Sequence, residues 1–162
     1  MNQRRFINLQ PDRCTGCYAC AVTCIDQHFD VDEEYLCFRH VLHMEEEEHG
    51  GRHFASVGCM HCADAPCTVA CPTGAVFRDP ETNLVSVEPS KCIGCHSCLL
   101  ACPYGAPRFD SRGKMRKCDG CNDRVKAGLL PACVTVCPSR ALSFTTEEEL
   151  TQKKLSAIFK NL

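Results

Sequence analysis

Four cysteine quartets, distributed along a chain of 162 residues, limit what it can fold into more than any other feature. The first is Cys14, Cys17, Cys20 and Cys24, in CTGCYACAVTC. The second is Cys59, Cys62, Cys67 and Cys71, in CMHCADAPCTVACP, and the third is Cys92, Cys95, Cys98 and Cys102, in CIGCHSCLLACP. The fourth, Cys118, Cys121, Cys133 and Cys137, opens as CDGC and closes as CVTVCP after a longer insertion. Of the 17 cysteines only Cys37 stands outside a quartet. At this density the sulfurs must be bound to one another, to zinc or to iron–sulfur clusters. The quartets are an internal repeat whose unit is a ligand set.

The first and third quartets follow C-x2-C-x2-C-x3-C, the bacterial ferredoxin run. Three cysteines at intervals of three, on a tight loop, aim their sulfurs at three corners of one cubane. The fourth follows on a short helix, points the other way and serves the second cluster of a pair. Gly16, Gly94 and Gly120 in the first gap suit a loop that needs positive φ or a close approach to inorganic sulfide. Pro72, Pro103 and Pro138 turn the chain away after the last cysteine, where the first quartet has Ile25.

The rival ligands fit less well. A four-cysteine zinc site needs two C-x2-C pairs, and a third cysteine at the same interval followed by a fourth is surplus to it. A disulfide scaffold wants an exported protein and an even count. Arg4 and Arg5 precede only Phe6 to Arg13, too short and polar for a signal-peptide core. No apolar run approaches the roughly 20 residues of a bilayer span. A cytoplasmic location is therefore expected, with peripheral membrane association or co-export with a partner left open.

The phrases GCMHCADAPCTVACPTGAV, KCIGCHSCLLACPYGAPRF and KCDGCNDRVKAGLLPACVTVCPSRAL resemble the four-cluster electron-transfer subunits of molybdenum- and tungsten-pterin oxidoreductases. These include the iron–sulfur subunits of dimethyl sulfoxide, polysulfide and nitrite-reducing complexes and of formate dehydrogenases. The resemblance covers Phe6 to Phe144. It implies an α+β fold of two pseudo-symmetric ferredoxin-like dicluster modules: an outer one of residues 1–34 plus 109–162, and an inner one of residues 35–108. It also implies four 4Fe-4S clusters with crossed ligand sets. One set is Cys14, Cys17, Cys20 and Cys137, and its mate is Cys118, Cys121, Cys133 and Cys24. The inner sets are Cys59, Cys62 and Cys67 with Cys102, and Cys92, Cys95 and Cys98 with Cys71.

Between and around the quartets the pattern predicts short strands. Phe6 to Leu9 and Ala141 to Phe144 are two of them. Val76-Phe77 and Leu84 to Val87 form a hairpin across a turn-rich middle. Leu36 to Met44 and Arg52 to Val57 form another, flanking the acidic loop tip Glu45 to Gly51. Thr146 to Leu162 reads as a helix, with Thr146 and Glu149 as a capping box and Leu155, Ile158, Phe159 and Leu162 as an apolar stripe that packs on the fold, the alternative being docking of a partner subunit. Apolar area is thinly spread, so the clusters must act as the core.

The resemblance implies a wire with no catalytic site of its own. There is no G-x-G-x-x-G fingerprint and no Walker loop, so pterin, flavin or nicotinamide chemistry belongs to a partner. The expected partner is a large molybdenum- or tungsten-pterin catalytic subunit, such as an aldehyde or formate oxidoreductase. Flavin, membrane quinone-linked or hydrogenase subunits are further candidates. The alternative is a stand-alone or polymerising polyferredoxin that serves several enzymes.

Sixteen thiolates and four oxidised cores take the formal charge of −2 to about −10. Lys91, Arg108, Arg112, Lys114, Arg116, Lys117, Arg124 and Lys126 surround the third and fourth quartets and are read as local charge compensation. Nucleic-acid binding is not supported in a net acidic chain whose basic segment lacks stacking aromatics. With the cysteine sets complete, His61 and His96 are read as surface or hydrogen-bonding groups. Cys37 reads as a buried thiol in a strand Tyr35 to Phe38, and Tyr104 as a packing residue.

Overall fold

The computed structural model describes residues 3–30, 36–45 and 51–159. The strands are Arg5–Leu9 (β1), Arg39–Glu45 (β2), Arg52–Gly58 (β3), Val76–Arg78 (β4), Val85–Val87 (β5), Arg108–Phe109 (β6), Met115–Arg116 (β7) and Leu142–Thr146 (β8). The helices are Ala19–His28 (α1), Pro66–Val69 (α2), Ser97–Leu100 (α3), Asn122–Lys126 (α4), Ala132–Thr135 (α5) and Glu147–Phe159 (α6). Among the described residues, helices and four two-stranded antiparallel sheets make the chain α+β.

The two ends of the chain are tied together. β1 pairs antiparallel with β8, Ile7 opposite Phe144 and Leu9 opposite Leu142. Ile7 and Leu142 bury with Cys20 and Cys133, so the small apolar core is built on cysteine-bearing helices. α1, from the first quartet, packs on α5, from the fourth, while α2 and α3, from the second and third, pack on each other. Two turns of the same kind lead into Cys14 and Cys92: Pro11–Arg13 and Pro89–Lys91 are single 3-10 turns, each with proline setting φ at the start.

The long hairpin β2–β3 runs in register from Arg39 opposite Gly58 to Glu45 opposite Arg52. Its first strand starts later than the sequence pattern suggests. Cys37 is half-buried and outside any strand; its thiol donates to the Arg39 carbonyl at 2.8 Å, and Phe38 turns into the core against Phe29. Tyr35 and the loop tip at residues 46–50 lie outside the described residues. Sequence order puts this hairpin in the inner module, yet it leans on α1 and on the turn before Cys14.

The hairpin β4–β5 forms as expected, except that Leu84 precedes its strand and is fully buried. The two-residue pair β6–β7 escaped the sequence reading because it is too short to show a period. At α6 the capping box closes: Glu149 N–H donates to Thr146 Oγ1 at 3.2 Å, and Thr146 N–H donates to Glu149 Oε2 at 3.1 Å. The stripe does not pack as expected. Leu155, Ile158 and Phe159 are 49%, 58% and 70% exposed, and Leu162 lies outside the described residues.

Candidate metal centres

None of the seventeen cysteines is in a disulfide. Cys14, Cys17, Cys20 and Cys137 line one cavity, closed by Tyr18, Val41, Ser56 and Leu142. Cys71 lines another with Cys92, Cys95 and Cys98, under Phe109 and Met115. Cys24 buries with Cys118 and feels the charges of Cys118, Cys133 and Cys121. Cys62 and Cys67 each feel Cys59 and Cys102. Two cavities thus each join three cysteines of one quartet to the last cysteine of another.

Local backbone makes this convergence. Gly16, Gly94 and Gly120, each between the first two cysteines of its quartet, have φ of 68°, 72° and 74°. Tyr18, Ala65, His96 and Cys121 sit in the left-handed region immediately before α1, α2, α3 and α4, swinging the chain from loop to helix. Backbone N–H groups then point at sulfur. Gly94 and Met115 donate to Cys92 Sγ at 3.4 and 3.3 Å, Ala106 to Cys102 Sγ and Gly120 to Cys118 Sγ, both at 3.4 Å. Thr73 and Ser139, each two residues past the last cysteine of its quartet, lie 3.7 Å from Cys71 Sγ and Cys137 Sγ.

The donor sets suit a cluster better than a single ion. Four thiolates on one tetrahedral zinc, at about 2.3 Å each, stand about 3.8 Å apart. Among the described residues no three cysteine sulfurs lie within 4.8 Å of one another. Burial, reinforced by the neighbouring thiols, raises the Cys24 thiol well above its ordinary range. Burial likewise pushes Cys118 up to about 12 and Cys121 up to about 11. Such thiols ionise only beside a compensating positive core, which iron–sulfur ligation supplies.

Several residues around the sites were not legible beforehand. Arg39 is 3% exposed and donates to Ser56 Oγ and O at 3.2 Å. Among the described residues no carboxylate pairs with it. Burial opposes its charge, yet Cys133, Cys118, Cys20 and Cys24 hold its pKa above the ordinary value. Lys117, read as part of the compensating basic group, is buried and donates to the carbonyls of Val85 and, at 2.8 Å, Cys118. The other basic residues act nearer the surface: Lys91 pairs with Glu88 at 2.6 Å, Lys126 with Asp79 at 2.7 Å, and Arg116 covers the Phe29 ring.

The histidines divide. His96 is exposed and stacks on Phe109 with centroids 3.8 Å apart. His61 is completely buried, accepting from Val85 N–H at Nδ1, 3.0 Å, with Nε2 3.9 Å from Cys118 Sγ. Its burial, and then the charges of Lys117 and Arg39, hold its pKa well below the usual value. His28 Nε2 lies 3.6 Å from Cys121 Sγ and 3.7 Å from Asp119 Oδ1, so this histidine–aspartate–cysteine group belongs to the fourth quartet's surroundings. Tyr104 is 62% exposed and lines an open cavity with Arg4 and Cys62 rather than packing.

Residues 52–147 match the family described as a 4Fe-4S dicluster domain, and residues 11–24 match a 4Fe-4S binding domain. The protein is 41% identical over 156 residues to the B subunit of the anaerobic dimethyl sulfoxide reductase of Escherichia coli (strain K12), an alignment covering 90% of this chain and 75% of that protein. It is 41% identical over 142 residues to the thiosulfate reductase electron transfer subunit PhsB of Salmonella typhi, covering 85% and 73%. The hydrogenase-2 operon protein HybA of Escherichia coli O157:H7 is 33% identical over 164 residues, covering 85% of this chain and 50% of that protein.

Proposed function

Because the chain belongs to the 4Fe-4S dicluster family of electron-transfer subunits of molybdenum-pterin oxidoreductases, we propose that it holds four 4Fe-4S clusters and passes electrons between a large pterin catalytic subunit and a second redox partner. The observation that supports this is that Cys14, Cys17 and Cys20 share a cavity with Cys137, and Cys92, Cys95 and Cys98 share one with Cys71, each joining two quartets. In this reading Cys14, Cys17, Cys20 and Cys137 hold one cluster, and Cys118, Cys121, Cys133 and Cys24 the next. Cys59, Cys62, Cys67 and Cys102 hold the third, and Cys92, Cys95, Cys98 and Cys71 the fourth. Bound there, a 4Fe-4S cluster supplies one-electron transfer at a potential set by charge, hydrogen bonds and exposure.

The protein's part is to hold, insulate and tune. Four thiols per set exhaust the protein ligation of a cubane, so the family's lack of substrate chemistry follows from the donor count. Leu84 and Met115, at 0% and 1% exposure, wall off water near the sites, while backbone N–H groups and Arg39 meet the charge on the sulfurs. The crossed sets support two pseudo-symmetric modules, outer 1–34 with 109–162 and inner 35–108. In this reading the modules meet where Cys59 packs against Cys24, Phe38 and Cys118. Electrons crossing between the modules have this seam as their short route.

The partner reading rests on the relatives, which are named as parts of dimethyl sulfoxide and thiosulfate reductases. Among the described residues no helix is long and apolar enough to cross a membrane. Anaerobic purification of the full chain from its own cell tests the reading. A stoichiometric large subunit carrying molybdenum or tungsten pterin supports it; an isolated monomer or homopolymer points instead to a free-standing polyferredoxin.

A further inference from the structure

Three of the four quartets place glycine immediately before their second cysteine: Gly16, Gly94 and Gly120. The second quartet has His61 there, and the backbone still takes the left-handed turn, with φ of 45°. A side chain at positive φ is a strained choice where three sister loops use glycine. It persists when the side chain does something the loop needs. The imidazole of His61 is not a surface group, since it is 0% exposed.

Its hydrogen bonds fix what it can do. Val85 N–H donates to Nδ1 at 3.0 Å, so Nδ1 is the acceptor of the ring and Nε2 carries the hydrogen. Nε2 faces Cys118 Sγ at 3.9 Å, at the long end of an N–H···S contact. Gly120 makes room for this approach: a Cβ at that position would lie 3.3 Å from His61 Nε2 and 2.9 Å from Leu84. His61 belongs by sequence to the loop of Cys59 and Cys62, yet its ring addresses a ligand of a different set.

Resting on the four-cluster reading above, we propose that His61 is a positioning residue that donates an Nε2 hydrogen bond across the seam to the Cys118 sulfur, raising the potential of the cluster held by Cys118, Cys121, Cys133 and Cys24. An N–H aimed at a ligating sulfur stabilises the state with one more electron, because negative charge on the sulfurs rises on reduction. The seam is where an electron leaves one module for the other, so the donor acts on the step that joins the two cluster pairs. Its effect falls on one set, which His28 also approaches, with Nε2 3.6 Å from Cys121 Sγ; among the described residues the other three sets show no histidine ring nitrogen on a cysteine sulfur.

The test compares wild type, His61→Gly and His61→Phe in the full chain, anaerobically purified with any bound partner. Glycine restores the residue of the sister loops and relieves the turn; phenylalanine keeps a ring but has no donor. Iron content and a reductive titration followed by electron paramagnetic resonance are the readouts. The expected result is full iron in all three proteins, with one signal moved to lower potential in both variants and three unmoved. The moved signal is the one that Cys24→Ser alters. Unchanged potentials at full iron overturn the donor role, and so does a shift in the signal that Cys102→Ser alters. Iron well short of four clusters in the wild type defeats the underlying reading instead, which separates the two failures.

Discussion

Asp79 Oδ2 accepts a hydrogen bond from Asn122 Nδ2 at 2.9 Å, tying the turn after β4 to the helix that follows Cys121. The same carboxylate pairs with Lys126 at 2.7 Å, and its Oδ1 accepts from the backbone N–H of Glu81 and Thr82 at 2.9 and 3.1 Å. One buried aspartate therefore shapes a hairpin turn and clamps it onto the fourth quartet.

Replacing Asp79 with alanine strips partners from Asn122, Lys126 and two backbone donors, a loss of about 2–3 kcal/mol. The check is the denaturant midpoint for bleaching of the visible absorption under anaerobic conditions, which should fall. Burial works against the Asp79 carboxylate, but Lys126, Asn122 and the turn N–H groups outweigh it and hold its pKa well below the carboxylate range. A depressed carboxyl contributes fully above its unfolded pKa and loses that contribution only as pH falls through the folded value. Lys126, raised by the same pair, stays charged until more alkaline pH. The gap between wild type and Asp79→Asn should thus be flat from about pH 6 to about pH 9. A gap that closes over that range contradicts the assignment.

Gly120→Ala forces a side chain onto φ of 74° and into Leu84 Cδ1 at 2.9 Å. The cost is about 1–3 kcal/mol, read as the same fall in bleaching midpoint. Gly74→Ala, also at positive φ but with open space around it, isolates the backbone share and should cost less.

The difference between those two glycines shows where sequence reasoning stops. Cysteine spacing, the turn glycines and the capping box at Thr146 and Glu149 were legible because each is a local pattern with one physical meaning. Arg39 was not, because it lies in a hairpin strand far from the quartets, and burial among Cys20, Cys24, Cys118 and Cys133 is a tertiary fact. His61 carried one signal, its place where sister loops have glycine, but its reach to Cys118 depends on how the modules meet. The stripe on α6 had a helical period, and the period alone did not say that Leu155, Ile158 and Phe159 would find no cover among the described residues.

Arg39→Met keeps most of the length and removes a buried cation that four cysteine thiols face. The two clusters assigned to Cys20 and to Cys24, Cys118 and Cys133 should both titrate at lower potential, and the two assigned to the second and third quartets should move little. Equal shifts in all four signals contradict a local electrostatic role.

Cys102→Ser tests the crossing of the ligand sets. Cys102 follows Cys92, Cys95 and Cys98 in sequence, but its charge is felt by Cys62 and Cys67. Spectroscopy should show the cluster of the second quartet altered and that of the third intact. The reverse pattern breaks the crossed assignment.

The central claim is that sixteen cysteines hold four 4Fe-4S clusters, and elemental analysis meets it most directly. Iron and acid-labile sulfide in the anaerobically purified chain should each come to about sixteen per molecule. Zinc in place of iron, or sulfide near zero, contradicts it.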